Sequence, residues 1–163
     1  MKIIYSYLLL FLSIASCVSY SVLDASIDAE NFSVSIFEEQ AANAPVGYGA
    51  QYTEYLKDFV IGRSSLKLSN KEADINISGV IINYSVLPVA VQGNQTTAQN
   101  RLTIGIKVSV LNLKKPVESF EQTFSQFSDF DASTDLASVE SDLLEDINAK
   151  LSQDIINKLT SNW

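Results

Sequence analysis

Apolar and polar positions alternate along this chain with two different periods. In FSVSIF (32–37), Phe32, Val34 and Ile36 occupy every second position, as on a half-buried strand. The next stretch, EEQAANAPVGYGA (38–50), is rich in Ala, Gly and Asn and contains Pro45, a loop composition. In AQYTEYLKDFVIG (50–62) the period changes. Tyr52, Tyr55, Leu56, Phe59 and Val60 recur at three and four residues, which predicts a helix with Gly62 as its stop. SSLKLSN (64–70) alternates again. In ADINISGVIINYSVLPVAV (73–91), Ile75, Ile77, Gly79 and Ile81 share a phase and Tyr84 to Val86 continue the run. A long strand bulged near Gly79 is expected, with Pro88 limiting its ladder.

QGNQTTAQN (92–100) is a polar loop bending at Gly93-Asn94. RLTIGIKVSVLNL (101–113) then puts Leu102, Ile104, Ile106, Val108 and Val110 on one face and Thr103, Gly105, Lys107 and Ser109 on the other. KKPVE makes a turn. SFEQTFSQFSDF (119–130) spaces Phe120, Phe124 and Phe127 in a way that also suits a helix, but its Ser/Thr/Phe content and the turn before it favour a strand hairpinned to its predecessor. From Leu136, a stripe through Val139, Leu143, Leu144, Ile147, Leu151, Ile155 and Leu159 predicts a helix, with Ser133, Thr134 or Asp135 as cap. Its acids come early and Lys150 and Lys158 late, which suits the helix dipole.

The expected order is βαβββα. That is an α+β fold, a two-layer sandwich of a four-stranded mixed sheet with both helices on one face. A helix between the first two strands implies a right-handed crossover and parallel pairing if they are neighbours. The next three strands can form an antiparallel meander.

Residues 1–16, MKIIYSYLLLFLSIAS, have one charge at Lys2, an apolar run and a small-residue end, the layout of a secretory signal. The run is shorter than the ~20 apolar residues a membrane-crossing helix needs. It ends in Ile14-Ala15-Ser16-Cys17, which resembles the bacterial lipobox. That resemblance implies cleavage before Cys17, a diacylglycerol on its thiol and an N-acyl chain on its new amine. At ~0.8 kcal/mol per buried methylene, two or three chains make a nearly permanent anchor. The expected organisation is a signal peptide over 1–16, a lipidated tether over 17–31 and a folded domain over 32–163. Val18 follows the cysteine, where an aspartate would mark inner-membrane retention in some lipoproteins, so outer-membrane attachment is expected.

Charge and composition narrow the chemistry. The 163 residues carry 11 Lys and Arg against 19 Asp and Glu, a net charge of −8 with no histidine. Loss of Lys2 on cleavage makes the mature chain one unit more negative. A Ser-His-Asp triad and a histidine metal cluster are excluded. An acylated Cys17, the only cysteine, leaves no thiol nucleophile. No glycine-rich phosphate loop is present, and nucleic-acid binding is not expected of so acidic a chain. Glu38 and Glu39 form an adjacent carboxylate pair, read as solvated surface and not as a glycosidase pair. No catalytic residue is assigned and no cofactor is expected beyond the lipid on Cys17. Asp129, Asp131, Ser133, Asp135 and Glu140 fall at calcium-loop positions 1, 3, 5, 7 and 12, but Thr134 stands where such a loop wants glycine. Capping acids at a helix start explain them better. A free-standing lipoprotein binding calcium or a small ligand there is the alternative reading.

Three phrases, VIINYSVLPVAVQGNQTTAQNRLTIGIKV, FEQTFSQFSDFD and LLEDINAKLSQDIINKLTSNW, together with the lipobox, resemble the LptE family of lipopolysaccharide-assembly lipoproteins of Gram-negative bacteria. The residues carrying the likeness are Tyr84, Pro88, Gly93, Asn94, the Asn100-Arg101-Leu102-Thr103 run and the closing Asn162-Trp163. The resemblance implies a lipoprotein on the periplasmic face of the outer membrane that plugs and helps assemble the LptD β-barrel and aids delivery of lipopolysaccharide to the surface. It also gives the hairpin tip at 87–100 a role in partner contact, through Pro88, Gln92, Gly93 and Asn94. Arg101 and Lys107, off the apolar face, could meet an anionic glycolipid or equally be solvated edge charges. The acidic charge favours barrel contact over direct lipopolysaccharide binding.

Overall fold

A computed structural model describes residues 27–69, 73–89 and 98–161. The signal segment, Cys17 and the Gln92-Gly93-Asn94 tip lie outside them. The elements are β1 (Asn31–Val34), β2 (Glu38–Glu39), α1 (Tyr48–Arg63), β3 (Lys67–Leu68), β4 (Ile75–Val89), β5 (Gln99–Asn112), a 3-10 turn (Pro116–Glu118), β6 (Phe120–Asp131) and α2 (Leu136–Thr160). The sheet runs β3-β1-β4-β5-β6, with β2 continuing along β4 beyond β1. β1 is parallel to β3 and β4, and β4, β5 and β6 form the antiparallel meander. The α+β sandwich with two helices on one face is as expected from the sequence.

The sheet has six strands where four were expected, because FSVSIF breaks after Val34. Between Val34↔Ile77 and Glu38↔Val80 the first strand spends one residue more than β4 does. The slip turns Ile36 out to solvent and Phe37 inward. Phe37 then packs edge-on against Tyr52 of α1, ring centroids 5.0 Å apart, and its N–H donates to the Thr53 hydroxyl at 2.9 Å. SSLKLSN adds the other extra strand, a two-residue edge on β1. The bulge in β4 lies at Ile82, not at Gly79: Ile81 pairs with Ile106 and Asn83 with Gly105. Gly79 is glycine for another reason. A Cβ there would lie 2.3 Å from the Phe37 ring.

The core lies between the sheet and the helices. Leu102, Ile104, Ile106 and Val108 on β5 are fully buried, each such side chain stabilising the fold by ~1.5–3 kcal/mol. Tyr52, Leu56 and Val60 of α1 and Ile147, Leu151 and Ile155 of α2 close over them. Asp135 caps α2, accepting from Ala137 N–H. The N-terminus of α1 has no side-chain cap at Gly47, which sits at φ 86°. Glu39 of β2 supplies one instead, accepting from Gly49 N–H at 2.8 Å, where a carboxylate also suits the helix dipole. Residues 27–31, assigned to the tether by the sequence, belong to the folded body. Ile27 and Ala29 pack against the core and Asn31 begins β1.

Candidate partner-binding face

The sheet face turned away from the helices is built by alternation. Its rows across β4, β5 and β6 are Leu87–Arg101–Asp129, Ser85–Thr103–Phe127, Asn83–Gly105–Ser125, Val80–Lys107–Thr123 and Ser78–Ser109–Glu121. Small hydroxyl, amide and glycine positions dominate. The two cations on it are paired. Arg101 binds Asp129 with both ends of its fork, Nε to Oδ1 at 2.7 Å and the terminal nitrogen to Oδ2 at 2.8 Å. The same guanidinium lies 3.6 Å over the Phe127 ring centroid. Lys107 reaches Glu121 at 2.7 Å. The Arg101 guanidinium holds the Asp129 carboxyl below the usual carboxylate range, and Asp129 raises Arg101 in return. The face is therefore largely polar, with both of its cations paired to acids on the same face.

Behind it, Tyr84 donates to Glu140 Oε1 at 2.5 Å, tying the part of β4 beyond the bulge to α2. Tyr48 of α1 donates to the buried Asn148 of α2 at 2.6 Å. Burial raises the pKa of both phenols well above the ordinary value. The first bond holds the distal half of the β4–β5 hairpin against α2, and the second joins the two helices to each other. The β6 edge carries its own guard: Lys150 donates to the Phe127 carbonyl at 3.1 Å and pairs with Asp146.

The sequence candidates separate as follows. Arg101 and Lys107 share the open face, as their phase predicts. Pro88, opposite Asn100, lies exposed on the same hairpin. The calcium-type residues are not gathered. Asp129 is held by Arg101, Asp131 accepts from the N–H and hydroxyl of Ser133, Asp135 caps α2 and Glu140 accepts from Tyr84. Among the described residues no three His, Cys, Asp or Glu side chains come close enough to hold a metal. Glu38 and Glu39 diverge because neighbours on a strand face opposite ways. Glu39 caps α1, and Glu38 borders a shallow cleft on the open face near Lys107 and Glu121. The acidic partners of Arg101 and Lys107 were missed in the sequence. The signal was present: a hairpin turning about Lys115 pairs position 101 with 129.

No helix among the described residues is long and apolar enough to cross a membrane. Solved structures share the fold. A minor lipoprotein from Acinetobacter baumannii aligns with a TM-score of 0.53 at 14% identity, covering 83% of this chain and 96% of that one. A hypothetical protein from Chlamydia trachomatis aligns with a TM-score of 0.52 at 8% identity, covering 82% and 99%. A protein from Xanthomonas campestris gives 0.52 at 13% identity, covering 81% and 84%. No curated protein matches by sequence. The LptE family, described as lipopolysaccharide-assembly, matches residues 29–159, from the core-packed segment before β1 to the last turn of α2. With that match spanning the folded body, the chain belongs to the LptE lipopolysaccharide-assembly family.

Proposed function

We propose that, within its family's role in lipopolysaccharide assembly, this chain is a non-catalytic subunit held on the periplasmic face of the outer membrane by the lipid on Cys17. There it plugs and helps assemble an LptD-type β-barrel and so aids delivery of lipopolysaccharide to the surface. The family match over residues 29–159 carries the reading. The open sheet face supports it, since rows of Ser, Thr, Asn and Gly with internally neutralised charges suit the wall of a wet, polar lumen. Direct capture of lipid phosphates is less well supported. Arg101 and Lys107 are already committed to Asp129 and Glu121, and a phosphate would have to displace those carboxylates.

Affinity purification of the lipidated chain from native membranes is the test. Co-recovery of a large β-barrel is expected, and Ser125→Arg, which plants a bulky charge mid-face, reduces it. Recovery of the intact lipidated chain with no barrel refutes the reading. Mass spectrometry of the amino terminus checks the acyl chains on Cys17. Depletion of the chain lowers surface lipopolysaccharide.

A further inference from the structure

The anchor pole of the domain carries a second feature. The turn from β5 to β6 reads Leu113-Lys114-Lys115-Pro116-Val117-Glu118, and Val117 is 93% and Leu113 56% exposed. Floppiness does not explain their exposure, because the turn is latched. Asn112, only 5% exposed, accepts from Lys114 N–H at 3.0 Å and Lys115 N–H at 2.8 Å. Its own N–H donates to the Ser119 hydroxyl at 2.9 Å and its amide to Glu118 at 3.3 Å. Pro116 stiffens the turn further. The result is a fixed knob with apolar side chains held in the open, beside a cleft of about 330 Å³ lined by Val117, Phe120, Lys158 and Leu159.

This knob is where the tether enters. Lys115 pairs with Asp28 at 3.6 Å, one residue past the start of the described chain. From Cys17 to Ile27 there are ten peptide steps, a reach of at most about 35 Å. The fourteen residues of β5 carry the other end of the sheet roughly 45 Å away. A lipid on Cys17 therefore keeps the knob within about 35 Å of the bilayer and forbids an upright pose with the far end of β5 on the bilayer and the knob turned away.

We propose that this turn is a membrane contact in which Val117 and Leu113 enter the headgroup region of the bilayer that holds the anchor. The inference rests on the Cys17 anchor of the proposed function. The two flanking lysines suit it, since their stems can lie along lipid while the ammonium groups stay wet. Charge does not drive it. Lys114 is paired with Asp74 and Glu30, and Lys115 with Asp28 and Glu118. Two lysines against four acids leave this pole net negative, so the occupant is a zwitterionic phospholipid surface and not an anionic one, and salt does not drive the contact.

The test uses the lipidated full chain in phosphatidylethanolamine vesicles. With Cys17 blocked as a thioether, Val117→Cys gives one free thiol for an environment-sensitive fluorophore, and Thr123→Cys on the open face is the control. The 117 label is expected to emit to the blue of the 123 label and to be quenched several-fold more by shallow nitroxide lipids. Anionic lipid weakens the shift, as a net-negative pole requires, and about 0.5 M salt in the phosphatidylethanolamine vesicles leaves it unchanged; a shift strengthened by anionic lipid overturns the proposal. Leu113→Ser in the 117-labelled chain reduces the blue shift, with circular dichroism confirming the fold. Equal emission and quenching at both sites in chains that float with the vesicles overturns the contact while leaving the anchor standing. A blue shift that appears only when a β-barrel is added also overturns it, and assigns the knob to protein. Failure of both chains to float removes the anchor and the contact together.

Discussion

Replacing Gly79 by alanine tests whether the break in the first strand is set by packing. The new Cβ would lie 2.3 Å from Phe37 Cε1, 2.7 Å from Cζ and 2.8 Å from the Lys107 carbonyl oxygen. The carbonyl belongs to β5, where Gly79 pairs with Val108, so it moves only if the ladder moves. Relief has to come from the Phe37 ring, which is 1% exposed and wedged against Tyr52. Overpacking costs ~1–3 kcal/mol, and full loss of a buried phenylalanine ~3–5 kcal/mol. Gly79→Ala should fall where these ranges meet, about 3 kcal/mol. At several degrees per kcal/mol in a domain of this size, Tm drops by roughly 10 °C. The sign is diagnostic. Gly47 is the only positive-φ glycine among the described residues, so alanine at 79 without the clash would stabilise by ~0.4–1 kcal/mol through the unfolded chain. The assay is thermal unfolding by circular dichroism on the chain made lipid-free by Cys17→Ser. Phe37→Ala with Gly79→Ala completes a double-mutant cycle, and with the ring gone the part of the penalty owed to Phe37 disappears while the part owed to the Lys107 carbonyl stays. A Gly79→Ala protein that melts with its parent, or a double mutant whose losses simply add, refutes the packing argument.

Three further outcomes follow from the same geometry. Arg101→Ala removes the bidentate pair and the contact with Phe127, but at 36% side-chain exposure solvent screens the pair and the urea midpoint falls only slightly. Arg101→Lys restores less than half, lacking the fork. Tyr48→Phe leaves the Asn148 oxygen buried without its donor and costs ~1–3 kcal/mol, more than Tyr84→Phe, whose partner Glu140 is less enclosed; urea midpoints rank the two. The acid limb of stability comes from Asp129 (held down by Arg101), Asp74 (by Glu30 N–H) and Asp146 (by Lys150). Each binds its proton more weakly folded than unfolded, so stability is full above the ordinary carboxylate pKa of ~4 and is lost as pH falls through the lower folded values. Urea midpoints should stay level from about pH 7 to pH 5 and fall below about pH 4, less steeply in Asp129→Asn.

What could be read from sequence was whatever one buried face writes as a period. β5 and α2 each have such a face, and both were located by it. The break in FSVSIF was not legible, because its cause lies on another strand. The room for Phe37 is made by Gly79, forty-two positions away. The same glycine invited a bulge to be placed on it. The bulge was written elsewhere, in the phase change from the odd positions 75, 77 and 81 to the even position 84, which needs one extra residue between Ile81 and Tyr84. The calcium-like spacing misleads for a related reason. Ligand spacing has meaning only on a loop that curls around an ion, and here its first two members belong to β6 and its last to α2.

Separation of the two ends of the sheet constrains how the family's role could be carried out. The knob at 113–117 and the tether share one end, and the β4–β5 hairpin extends to the other, roughly 45 Å away along β5. In the proposed function, a lipid at Cys17 would leave the hairpin and the open face free to enter a barrel while the knob stays on the anchor side. The bond from Tyr84 to Glu140 and the edge-on contact of the Tyr84 and Tyr48 rings, 6.2 Å apart, matter in that arrangement. They stiffen the hairpin before any partner arrives, so insertion need not supply the ordering entropy that a floppy arm would lose. The pairing of the open face's cations serves the same end. A face whose cations are already satisfied can slide against a polar wall without stopping at each carboxylate it meets, and its orientation is then set by shape and by the anchor.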